Sequence, residues 1–398
     1  MTKLFSYILL SSSLFLTLGV YGQAEFKIVP ISTVETSYNT VTCTVHQIDS
    51  RNYLYTAGDG NKIDHFKIED DGSMQFLTNY VVSGGKNTVR GLITEKIGSN
   101  DFLFAGLKGG NAVEVYRINP DGTLKSVFIL PDTDTTYLGI VITLQVIHMN
   151  TASYLFVGGL EETPGLSSFR ISEEGKLTHV QSMADSEELF TDGIIGMSTH
   201  LIDGKTFLFT GGFQDNGLSS FRVYEDGHFE NVCNISDDRT LFLNGTYPVI
   251  SASRSDWEYV IVGHRHHIYY KPTPWVKDRQ TYYYHGDAVS VFRVDEEGKL
   301  MPRSIFQGTS ENMIQGQTRL HKLPLDKDHD LIAVATRDDQ SIQLCVLNNT
   351  GRLIDAGKLN TGFPIYYGLS GQKVGDHLFL FAGSVNGKEL VSYRLDPT

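Results

Sequence analysis

NDFLFAGLKGGNAVEVYRINPDGTLKSVFIL, running from Asn100 to Leu130, is the stretch that decides the fold. It opens with an aromatic and aliphatic run ending at Gly106 and turns on a glycine pair. An alternating run from Val113 to Ile118 leads into an Asp-Gly turn at Gly122, and LKSVFIL follows. Alternation of period two, enriched in β-branched and aromatic residues and punctuated by glycine turns, marks antiparallel strands. The pattern returns in ASYLFVGGLEETPGLSSFRISEEGKLTHVQSM (Ala152 to Met183) and TFLFTGGFQDNGLSSFRVYEDGHFENVCNI (Thr206 to Ile235). Fainter copies start at Asn52, Glu258, Asp330 and His377. The small residue closing the aromatic run recurs at Gly58, Gly106, Gly158, Gly211, Gly263, Ala335 and Gly383, at intervals of 48, 52, 53, 52, 72 and 48 residues. Six copies carry a second glycine in a polar turn, at Gly72, Gly122, Gly175, Gly227, Gly298 and Gly351.

Each unit decodes into four strands: one before the aromatic run, the run itself, the alternating segment, and a last strand after the glycine turn. Four-stranded sheets repeated at about 50 residues stack radially, because neighbouring sheets then cover one another's faces and hide most edges. A helical solenoid needs a 3.6-residue apolar period, and none is present. The last copy stops at its third strand, while FKIVPIST, from Phe26 to Thr33, reads as a strand ahead of the first full copy. The fold expected is therefore all-β: a seven-bladed β-propeller of four-stranded antiparallel blades, closed by the N-terminal strand pairing in the last blade.

In wording, LFVGGLEETPGLSSFRI and its copies resemble the lactonase-like β-propeller superfamily, which includes bacterial 6-phosphogluconolactonases. They look closer still to propeller repeats of secreted bacterial proteins. The resemblance covers nearly all of Phe26 to Thr398 and implies the fold. In the enzymes of that superfamily a catalytic His and Arg accompany a D-x-G-x-D segment. The nearest stretch here, GFQDNGLSSF from Gly212, lacks it, so lactonase activity is not implied.

A formal charge of −13 excludes a nucleic-acid backbone or an anionic membrane surface as partner, since both require a dominant basic field. Residues 1–22 read as a signal peptide: Lys3 supplies the positive start, Tyr7 to Val20 the apolar run, and Val20 and Gly22 the small residues before a cut at Gln23. The expectation is a secreted monomer (periplasmic or on the cell surface if bacterial), with residues 23–398 as a single domain and no membrane span after cleavage. Cys43, Cys233 and Cys345 fall in different repeats and form neither a disulfide framework nor a CxxC metal motif. Asn234, Asn244 and Asn348 stand in N-x-S/T glycosylation sequons.

The interval of 72 residues reflects a loop insertion in the fifth unit, residues 264–286, reading HRHHIYYKPTPWVKDRQTYYYHG. It concentrates histidine, arginine, lysine and tyrosine in a chain that is otherwise acidic. Aromatic faces suit the apolar side of a sugar ring, and arginine takes carboxylate or sulfate in bidentate fashion. The expected function is binding of an anionic or hydroxyl-rich ligand on the loop face, such as an extracellular glycan or small anion, or a protein. Tyr270, Trp275, Arg279, Tyr283, Arg319 and Tyr367 are the candidate contacts. The alternative is a lyase or hydrolase of acidic sugars or lactones, with His264, Arg265, Tyr269 and His285 carrying the chemistry as acid–base and charge-neutralising groups. Arg90, Tyr137, Asp192, Tyr247 and Gln317 join these as candidates from the connections between units. His264 and His266 share a strand face, but no carboxylate or cysteine lies at ligand spacing, so neither a metal nor a cofactor is expected.

Overall fold

The computed structural model describes residues 25–83, 87–160, 164–238, 240–254, 257–265, 288–309 and 314–398. The expected signal peptide, residues 1–22, lies outside them, as does the insertion beyond Arg265. Among the described residues there is no α-helix, and none of the elements is a helix long and apolar enough to cross a membrane.

The chain is an all-β propeller. The second strand of each unit carries a continuous buried run because sheets press on both its faces: in Asn100–Lys108 every residue from Phe102 to Leu107 is buried. The fourth strand lies at the outer edge and keeps only its first residue buried in Leu124–Pro131. Hydropathy thus fixes radial position, with the continuous apolar runs inside each blade and the mixed ones at the rim.

Five units form separate four-stranded sheets in the order of the chain. The remaining eight strands form one sheet, in the order Phe26–Glu35, Glu389–Pro397, His377–Ser384, Ile365–Val374, Thr40–Ile48, Arg51–Gly58, Lys62–Ile68, Met74–Val81. The expectation of seven separate four-stranded sheets is corrected accordingly. Physically, the first strands of the first and last units come close enough to pair in parallel at Thr42 and Tyr367, which joins their sheets. Phe26–Glu35 pairs antiparallel with Glu389–Pro397, from Phe26 opposite Pro397 to Glu35 opposite Glu389, with one bulge between Pro30 and Ser32.

The first strands of the units are Thr40–Ile48, Thr88–Ile97, Thr143–His148, Ile194–Ile202, Thr246–Arg254, Gln317–Pro324 and Ile365–Val374. Each lies against the next, and the last against the first. A second cyclic relation runs further out. The glycine of each polar turn sits against an aromatic ring on the second strand of the preceding unit: Gly122 on Tyr53, Gly175 on Phe102, Gly227 on Tyr154, Gly298 on Phe207 and Gly351 on Tyr259. Gly72 of the first unit sits on Phe379 of the last. All six glycines have φ between +70° and +85°, so the turn needs a left-handed residue and the neighbouring ring leaves no room for a side chain. Several of these joints carry a hydrogen bond as well: Ser168 Oγ donates to the Gly227 carbonyl at 2.9 Å and Ser220 Oγ to that of Gly298 at 2.7 Å.

Because the four strands of a unit alternate in direction, the polar glycine turns project on one face of the propeller. The connections between units, and those between second and third strands, project on the other. The insertion leaves Trp257–His264 and returns at Ala288–Val294, both at this loop face.

Candidate functional site

At the loop face, where the first strands begin, side chains distant in sequence meet over the propeller axis. Tyr247 opens Thr246–Arg254, and Tyr366 and Tyr367 open Ile365–Val374. The rings of Tyr247 and Tyr367 stack 5.2 Å apart with planes 7° from parallel, and their hydroxyls are hydrogen-bonded to each other. Tyr366 meets both rings edge-on, 5.9 Å from Tyr247 and 4.8 Å from Tyr367, while Phe213 meets Tyr247 at 5.3 Å. Val41 and Ile195 complete the cluster. Burial pushes the phenols of Tyr247 and Tyr367 well above their ordinary range, so both are neutral hydrogen-bonding groups.

Two arginines flank the partly exposed Tyr366. Arg265 donates from Nη1 to its hydroxyl at 2.9 Å, and the Arg265 guanidinium lies 5.5 Å from the Tyr366 ring centre and 5.9 Å from that of Tyr247. Arg337 lies 5.6 Å from the Tyr366 ring centre on a different strand end. Both arginines are held by their backbone, which donates to the carbonyls of Gly245 and Gly316 at 2.9 and 2.8 Å. The arrangement offers a flat aromatic surface with cationic groups beside it, suited to an anionic or polyhydroxylated ligand.

Below the tyrosines, the first strands enclose an axial cavity of about 450 Å³ to which all seven contribute. Arg319 and Tyr367, both expected as ligand contacts, line this cavity together, with Tyr367 at its loop-face end. His264 is wholly buried at the end of its strand, with its ring 5.8 Å from Phe242 and its backbone N–H donated to Gln317 Oε1 at 2.9 Å. Gln317 in turn donates to the Ile314 carbonyl at 3.0 Å. Arg90 pairs with Asp59 at 2.9 Å. Tyr137 packs by Gly165. Tyr269, Tyr270, Trp275, Arg279, Tyr283 and His285 lie outside the described residues, as does His266. Among the sequons, Asn244 is only 1% exposed, Asn234 is half-buried, and Asn348 caps its own turn by accepting the Thr350 and Arg352 N–H groups.

Sequence reasoning missed Tyr366 and Arg337. The doubled tyrosine at the start of a strand was a visible sign of the first, whereas nothing in RDD at Arg337 marks it out. It named Asp192 but missed Asp185 and Asp215, buried acids whose oxygens lie within 4.8 Å of its own and of one another. The Asp192 N–H donates to Asp215 Oδ2 at 2.7 Å, and Thr191 Oγ1 to Asp185 Oδ1 at 2.7 Å.

No family model matches this chain, and no curated protein is similar to it. Among solved structures, Raptor from Chaetomium thermophilum superposes with a TM-score of 0.60 at 12% identity, over 94% of this chain and 29% of that one. At that identity the likeness is one of fold alone, and the class it defines together with the sheets is the β-propeller. The chain spans under a third of the Raptor chain it matches. The resemblance to lactonase-like propellers finds no support in these comparisons.

Proposed function

We propose that this protein is a secreted, non-catalytic binding propeller whose loop face takes an anionic or hydroxyl-rich ligand, a carbohydrate above all. One observation carries the reading: Arg265 and Arg337 flank the exposed side of Tyr366 on the face from which the basic, aromatic insertion departs. Tyr367, one of the contacts expected from the sequence, stacks beneath them as support. In this reading the eight-stranded sheet acts as two blades, first and last. The ring then has seven, and the pairing of Phe26–Glu35 with Glu389–Pro397 closes it. The cyclic packing of the first strands and the Gly72–Phe379 joint support that count. The enzymatic alternative has less behind it, since His264 has no exposed surface with which to reach a substrate.

The test is titration of the purified protein with acidic and neutral oligosaccharides by calorimetry, repeated on Tyr366→Ala and Arg337→Ala. Each substitution is expected to weaken binding tenfold or more, because a stacking surface and a charged hydrogen-bond donor each contribute about 1–3 kcal/mol. Binding unchanged in both variants places the ligand elsewhere. Conversion of the ligand to product makes the protein an enzyme.

A further inference from the structure

The axial cavity holds a charge that no carboxylate among the described residues pairs with. Arg319, from Gln317–Pro324, lines it, and among the described residues no carboxylate pairs with its guanidinium and its Nε is buried without a hydrogen-bond partner. Two acidic groups act on it, the Cys43 thiol and the Tyr367 hydroxyl. Burial pushes the first up to about 12 and the second well above the phenol range, so neither supplies a negative charge.

Lys322, also in the lining, donates from Nζ to the Ser251 carbonyl at 2.7 Å and has the Asp330 and Glu258 carboxylates close enough to favour its charge. The one carboxylate among the described lining residues is Glu95, which lies at the far end of its strand from the tyrosines and 3.3 Å from His148 Nε2. Hydroxyls surround the remaining space. Those of Thr94, Ser251 and Thr318 are spent on carbonyls of neighbouring strands, but Ser198 Oγ is buried with no partner among the described residues. A guanidinium with no carboxylate partner and a hydroxyl with no hydrogen-bond partner, both among the described residues, therefore line one cavity in a chain of net charge −13. Arg319 is half-buried with its guanidinium at the cavity, and that fork matches the paired oxygens of a carboxylate, sulfate or phosphate.

We propose that the axial cavity is a binding site for a small oxyanion, with Arg319 as its principal ligand and Ser198 as a hydroxyl donor. Tyr247 and Tyr367 close the loop-face end, so the anion reaches the site from the face of the glycine turns. This site is separate from the Tyr366 surface and does not depend on what binds there.

Thermal melting and calorimetry in anion-depleted buffer test it, with inorganic phosphate, sulfate, acetate and citrate titrated separately. A saturable rise in melting temperature is expected with at least one of them. The same anion is expected to bind Arg319→Gln at least tenfold more weakly, and Lys125→Gln, which removes an exposed charge on the outer strand Leu124–Pro131, as the wild type does. Response to phosphate and sulfate assigns a tetrahedral inorganic anion; response to acetate or citrate alone assigns a carboxylate. No saturable response to any of the four, or equal binding by Arg319→Gln, overturns the site. Should Arg319→Gln fail to fold, selenate diffused into wild-type crystals decides the matter. Anomalous density within hydrogen-bond distance of the Arg319 guanidinium supports the proposal, and its absence at saturating selenate overturns it.

Discussion

Gly227→Ala is expected to lower the free energy of unfolding by about 2–5 kcal/mol. Two costs combine. The backbone at Gly227 has φ of +84°, where an L side chain is disfavoured by about 1–2 kcal/mol. An added Cβ would also lie 2.4 Å from the ring carbons Cδ1 and Cε1 of Tyr154, and overpacking costs a further 1–3 kcal/mol or so. The ring is not free to swing aside, because its hydroxyl donates to the Glu225 carbonyl at 3.0 Å. Gly204 provides the internal comparison, with φ of +74° and nothing within 4 Å of its Cβ position. Urea unfolding of Gly204→Ala should therefore show the backbone cost alone. Equal losses in the two variants would mean that the glycine–aromatic joints do not hold neighbouring units together.

His65→Phe is expected to flatten the acid side of the stability profile. His65 is 0% exposed, its ring stacks 4.9 Å from that of Tyr55, and neither ring nitrogen has a hydrogen-bond partner among the described residues. Burial lowers its pKa from the ordinary 6.5 to about 4. The unfolded chain therefore takes up a proton near pH 6.5 that the folded chain refuses until near pH 4. Stability from this group is complete above pH 6.5 and is lost as the pH falls from there to 4, by about 3 kcal/mol in all. His321, also shifted to about 4 by burial and by the Arg319 charge, acts in the same direction. Asp237 opposes both. Burial raises it to about 7, so its contribution is present below the ordinary carboxylate pKa and is lost as the pH rises through 7. The wild-type profile is thus a difference of opposing terms, and the variant isolates one of them. Measured by urea midpoints, His65→Phe should gain about 2–3 kcal/mol on the wild type between pH 7.5 and 4.5. A constant difference across that range would mean that His65 is not held neutral in the fold.

The repeat was legible because blade packing makes local demands: a continuous apolar second strand, an alternating third, and a left-handed glycine between third and fourth. Gly227 could be read as a turn residue. Its second task, admitting Tyr154 of the preceding unit, could not, because that contact belongs to two units at once. The merging of first and last units rests on a single parallel pair, Thr42 with Tyr367, and leaves no trace in either sequence segment. Tyr247 and Tyr367 were singled out as residues that open first strands, yet their stacking spans 120 residues and depends on how the ring is assembled. Arg319 was expected as a ligand contact from the connection before its strand, and it lines the axial cavity. A register shift between Gln317 and Arg319 sets the side of the strand it takes, and with a period of two a one-residue slip reverses that side. The insertion, conspicuous by composition, places only His264 and Arg265 among the described residues, one in the core and one half-buried at the loop face.

The pairing of Phe26–Glu35 with Glu389–Pro397 has a kinetic consequence. Joining segments separated by roughly 370 residues costs about 5 kcal/mol of chain entropy if the intervening polypeptide is loose, and far less once the blades between them are stacked. That seam is therefore the step that finishes assembly after the rest of the chain is in place. On gentle destabilisation its amides should exchange with solvent deuterium ahead of those in the five self-contained sheets.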